Sequence, residues 1–116
     1  PKAGGKGSDT FAVDYDLPDP EYFAFWAQPM DHKGLSYTMP ALAQDLKLVG
    51  YPVARLKVSA DRPDANVFVY LDQVDDAGEA KVVAFGRLAL SHRRTGKAPY
   101  ETLGLPWHSG RSADVS

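Results

Sequence analysis

Between Leu46 and Ser91 the apolar residues recur at every second position rather than at helical spacing. Ala54, Leu56 and Val58 alternate with Arg55, Lys57 and Ser59, the pattern of a strand with one buried and one wet face. Val67, Val69 and Leu71 alternate with Phe68 and Tyr70, so both faces are apolar and the strand is the best core candidate. Asp75-Asp76-Ala77-Gly78 supplies turn residues before the long run from Ala80 to Ser91, which predicts an antiparallel hairpin. Gly86 in its second arm suggests a bulge. With Leu46 to Val49, closed by the turn at Gly50-Tyr51-Pro52, the pattern predicts four strands and no long helix. The class is all-β.

The flanks follow other rules. Residues 1–9 are rich in Gly, Lys and Ser and read as a flexible tail. Asp16-Leu17-Pro18-Asp19-Pro20 is an extended connector, because its prolines fix φ and remove amide donors. The aromatic segment Tyr22, Phe23, Phe25 and Trp26 is too short for an independent helix and must lie against something else, either this domain's own sheet or another domain. After Arg94 the periodicity stops, and Gly96, Pro99, Gly104, Pro106 and Gly110 punctuate a loop that still holds Tyr100, Leu103, Leu105 and Trp107. The expected division is a tail and connector over 1–33 and a β-sandwich domain over 34–116. Tyr22, Phe23, Phe25, Trp26 and Trp107 are the candidate interface residues. A closed sandwich or jelly roll uses roughly seven or eight strands, so four strands describe an incomplete portion with an uncovered apolar face.

Composition narrows the function classes. A chain of 116 residues holds one core. Its net charge of −2 gives no field that would gather a polyanion or an anionic membrane. Nucleic acid and membrane are therefore not expected partners. The absence of cysteine removes disulfides, thiolate metal sites and thiol nucleophiles. No apolar run approaches the roughly 20 residues of a spanning helix, and the chain reads as soluble, with the cytoplasm as default compartment. Its opening on Pro1 suggests processing or the interior of a longer product.

Gly34-Leu35-Ser36-Tyr37-Thr38 lacks the second glycine of the G-x-S-x-G elbow, which needs small residues on both sides of a strained turn. Ser36, Asp72 and His92 can be written as a triad, but three common residue types in order carry little signal without geometry. His32, His92 and His108 show none of the paired spacings that set two ligands on one face. His92 beside Arg93 and Arg94 reads as a solvated basic rim, and His108 as a backbone-bonded loop residue. Asp72, Asp75 and Asp76 are explained by turn chemistry more cheaply than by calcium. Gly4-Gly5-Lys6-Gly7-Ser8 has no preceding strand and is not a phosphate loop. No catalytic, metal or cofactor residue is expected.

From Gly34 onward the residues follow a recognisable order. Leu35-Ser36-Tyr37-Thr38-Met39-Pro40-Ala41-Leu42, then Asp45 to Gly50, Val53 to Asp61, Asp64 to Val74, Gly86-Arg87-Leu88 and Ser91-His92-Arg93 together resemble the C-terminal jelly-roll domain of the cocaine esterase and X-Pro dipeptidyl-peptidase family. The resemblance covers about two thirds of the chain as ordered short matches. It implies a galactose-binding-like β-sandwich packed on an α/β-hydrolase domain whose Ser-Asp-His triad hydrolyses esters or amides. That triad would lie upstream, and no catalytic residue carries over to this sequence. The family's domain continues past the stretch resembling Pro106 to Ser116, and the segment Tyr22 to Trp26 has no counterpart in the matched order.

The leading expectation is thus a non-catalytic accessory domain of a serine ester or amide hydrolase, which shapes the substrate cleft or an oligomer contact. The runner-up is a stand-alone sugar- or peptide-binding module with Trp107, Tyr100 or Trp26 as a stacking platform. A third reading is a homo-oligomer or a sheet completed by a partner strand.

Overall fold

The computed structural model describes residues 7–15 and 33–115; Tyr22, Phe23, Phe25, Trp26 and His32 lie outside the described residues. Its regular structure is one antiparallel hairpin, β1 (Asn66–Val74) and β2 (Ala80–Ala89). The β-branched and aromatic run NVFVYLDQV favours a pleated strand. Asp75 then ends it with side-chain chemistry. Its Oδ1 accepts the N–H groups of Ala77 and Glu79, both at 2.9 Å, while Gly78 donates to the Asp75 carbonyl at 3.0 Å and takes φ +86°. A residue with a Cβ resists that left-handed conformation, so glycine closes the turn.

The ladder runs from Asn66 opposite Ala89 to Val74 opposite Ala80. It slips once. Leu71 faces Ala84 and Asp72 faces Val82, which leaves Val83 as the extra residue of a bulge. The bulge is therefore not at Gly86, which pairs in register with Val69. Tyr70 and Phe85, paired across the ladder, stack with ring centroids 6.2 Å apart.

Two expected strands do not form. Leu46 to Val49 and Ala54 to Ser59 run as irregular backbone outside any ladder. Alternation states which side chains seek burial, but a strand exists only where a neighbour takes its backbone hydrogen bonds. Neither segment joins a ladder among the described residues, and Leu46, Leu48, Leu56 and Val58 are all at least half exposed. Near the start of the chain, the Lys33 ammonium meets Asp14 at 2.6 Å and the Tyr37 hydroxyl donates to Asp9 at 2.9 Å, so residues 9–14 run beside 33–37. That bond to the Asp9 carboxylate raises the Tyr37 pKa.

The described residues contain no α-helix; two 3-10 turns, Leu90–His92 and Ser112–Asp114, complete the inventory. The class is all-β, consistent with part of a β-sandwich. Val82 is the only buried apolar side chain among the described residues, at 5% exposure. The chain leaves 11191 Å² accessible, against about 6,200 Å² for a compact monomer of this length. Its radius of gyration is 16.5 Å, where about 13 Å suits a compact domain of this size. Among the described residues the apolar surface is present but left largely exposed.

Candidate functional site

The segment after β2 is tied to the hairpin by a short series of polar contacts. Asp64, just before β1, is the first. Its Oδ1 accepts the Ala65 N–H at 2.8 Å and the Ser91 N–H at 2.9 Å. The Ser91 side chain and backbone, in that order, hold the Asp64 carboxyl below its ordinary pKa, because a carboxylate that accepts hydrogen bonds is favoured in its charged form. Leu90 donates to the Ala65 carbonyl at 2.8 Å beside it. The open end of the hairpin is clamped.

Further along, the His108 ring donates through Nδ1 to the His92 carbonyl at 2.8 Å, and His92 Nδ1 lies 3.4 Å from the Ser109 carbonyl. Ser109 is buried at 6% exposure, and its hydroxyl oxygen accepts the Arg111 N–H at 3.2 Å. His108 therefore makes the backbone bond its loop position predicts. His92 is half-buried and engaged, where its basic neighbours suggested a solvated rim.

Trp107 is held at the centre of this region. A bridge pairs Thr95 with His108, and Gly96 donates to the Trp107 carbonyl at 3.0 Å. The indole lies on Gly96 so closely that a Cβ there would sit 3.3 Å from its Cζ3. Trp107 lines two clefts. One, of about 340 Å³, gathers Tyr51, Tyr100, Leu103, Leu105 and Pro106 with one carboxylate, Glu101. The other, of about 300 Å³, carries Arg94, Lys97 and Arg111 on its rim with one carboxylate, Asp114. The first cleft is bounded by a turn in which Leu105 donates to the Thr102 carbonyl at 3.0 Å, with φ +53° at Leu103 and +81° at Gly104.

Of the candidate interface residues, Trp107 is placed and half-buried; Tyr22, Phe23, Phe25 and Trp26 lie outside the described residues. Ser36 is exposed, Asp72 sits within β1, and Asp75 is occupied with its turn. Sequence reasoning missed Asp64, whose signal was an aspartate immediately before a strand, and it read Tyr51 only as part of a turn. Exposed apolar residues extend well beyond the clefts. On the hairpin they include Phe68, Val74, Val83 and Phe85, each 48–55% exposed. No helix among the described residues is long and apolar enough to cross a membrane.

The family described as "X-Pro dipeptidyl-peptidase C-terminal non-catalytic domain" matches residues 5–116, so the match includes the aromatic segment. Curated relatives from Mycobacterium bovis and Mycobacterium tuberculosis, each named "Putative serine esterase", are 34% identical over 87 residues. The aligned region is 73% of this chain and 14% of each relative. No solved structure matches.

Proposed function

Since the chain belongs to the family of X-Pro dipeptidyl-peptidase C-terminal non-catalytic domains, we propose that it serves as the accessory domain of a serine hydrolase of acyl-esterase or X-Pro dipeptidyl-peptidase type. In this reading residues 34–116 contribute to a galactose-binding-like jelly roll. Trp107, with Tyr22, Phe23, Phe25 and Trp26, faces an α/β-hydrolase domain that carries the triad. The chain makes and breaks no bond itself. It shapes the substrate cleft or a contact between copies.

The observation that carries the reading is the uncovered apolar surface. A hairpin with Val82 as its one buried apolar residue among those described, and with Phe68, Phe85 and Val74 about half exposed, has the apolar character of an interface core rather than of a finished monomer surface.

The test uses the purified chain and the G-x-S-x-G-bearing hydrolase domain encoded beside it. The chain alone should leave an activated aryl ester unhydrolysed, and it should bind the hydrolase domain. Phe68→Ser with Phe85→Ser should weaken that binding by about tenfold or more, as loss of two aromatic anchors does. Turnover by the isolated chain, or the lack of any hydrolase domain in the same reading frame, overturns the proposal.

A further inference from the structure

Between Glu79 and Glu101 the sequence carries Lys81, Arg87, Arg93, Arg94 and Lys97 and no carboxylate, although the whole chain is net negative. The fold gathers part of this excess. Arg94 and Lys97 come to one cleft with Arg111, against the single carboxylate of Asp114. No ion pair or side-chain hydrogen bond engages the Arg94, Lys97 or Arg111 head groups among the described residues. The cleft floor is fixed: the Thr95–His108 bridge, the Gly96 bond to Trp107 and the buried Ser109 hold its backbone.

We infer that this cleft binds an acidic peptide segment, whose carboxylates pair with Arg94, Lys97 and Arg111 while a neighbouring apolar side chain enters the other cleft that Trp107 lines. Guanidinium groups suit carboxylates because their paired N–H donors match both oxygens. About 300 Å³ accepts one or two acidic side chains and is too small to track a polyanion backbone. The first cleft, lined by Tyr51, Tyr100, Leu103, Leu105 and Trp107 with Glu101 as its one carboxylate, gives the adjacent residue a mainly apolar seat. The two halves share Trp107, so one short segment can reach both. This site shares Trp107 with the proposed docking role and leaves out its apolar hairpin face, and its test does not need a hydrolase domain.

A fluorescein-labelled peptide of tyrosine followed by several glutamates is titrated onto the full chain and followed by fluorescence anisotropy. A glycine-serine peptide, a lysine peptide, an oligosaccharide and a single-stranded oligonucleotide serve as competitors. The acidic peptide should bind, and raising salt should weaken it, since exposed charges are screened beyond about 10 Å at 0.1 M ionic strength. Arg94→Glu with Arg111→Glu should reduce affinity by about tenfold or more. Lys97→Glu, in an exposed loop, should do so by a smaller factor without touching the ladder. Unchanged circular dichroism of the hairpin separates loss of binding from loss of fold. Equal binding of the glycine-serine peptide, insensitivity to Lys97→Glu, or displacement by the oligosaccharide or oligonucleotide alone overturns the inference.

Discussion

The Ser91 backbone N–H donates to Asp64 Oδ1 at 2.9 Å, joining the residue that leads into β1 to the turn that leaves β2. Their separation in sequence makes this a closure of the whole hairpin. Its strength depends on the charge of one carboxylate.

Acid should therefore loosen the hairpin in a defined sense. The folded-state pKa of Asp64 is depressed, first by the Ser91 side chain and then by its N–H. The unfolded chain, with a carboxyl near pKa 3.9, takes up a proton before the folded one does. The stabilisation is complete above about pH 4 and is lost as pH falls through the depressed value. Amide exchange at Ser91 should accelerate across that window in the native chain. In Asp64→Ala it should be fast already at neutral pH and show no such dependence; equal exchange in both would count against the clamp.

At the other end of the hairpin, Gly78→Ala places a Cβ at φ +86°. Open space surrounds the position, so the cost is backbone strain alone, about 1 kcal/mol. Urea melts followed by far-ultraviolet circular dichroism should show the midpoint falling without a change in slope.

Leu103 presents the opposite case. It is a large residue at φ +53°, 78% exposed, in a turn whose next residue is Gly104 at +81°. Asparagine tolerates this conformation better, so Leu103→Asn should raise thermal stability, by up to about 1 kcal/mol. The same change removes an apolar wall of the Tyr51–Tyr100 cleft, and any ligand seated there should bind less well.

Val82→Ala tests the one buried apolar side chain among the described residues. Two lost methyl groups should cost roughly 1–2 kcal/mol, whereas Phe85→Ser, at a residue 55% exposed, should cost the isolated chain less and reduce its binding of an apolar dye. A larger loss at Phe85 than at Val82 would mean that the exposed face is covered in solution.

Gly96→Ala brings a methyl group to 3.3 Å from the Trp107 ring. The indole must move by a few tenths of an ångström. In a Trp26→Phe background, where Trp107 is the only indole, its emission maximum should shift while the hairpin signal stays intact.

The hairpin was legible because every local signal agreed: β-branched alternation in Asn66–Val74, an Asx-type turn at Asp75 and a glycine where φ is positive. Gly86 misleads as a bulge signal, because glycine permits irregular backbone without requiring it, and it pairs in register with Val69. The stronger signal was the doublet Val82-Val83, where two adjacent apolar residues break the alternation. Leu46 to Val49 and Ala54 to Ser59 carry the right periodicity and form no ladder, since a pattern within a segment holds no information about its partner. Trp107 stood out by size. Its contact with Gly96 and its place between two clefts could not be read, because both arise from the Thr95–His108 bridge across a loop.

The extra residue at Val83 gives the hairpin two ways of aligning its turn-proximal half. Were the bulge to be absorbed into the loop, Val83 would oppose Asp72, and Val82 would rotate to the reverse side of the ribbon. The two N–H groups held by Asp75 prevent that slippage by fixing the loop length. One carboxylate in the turn thus selects which valine is sheltered, several residues away along the strand.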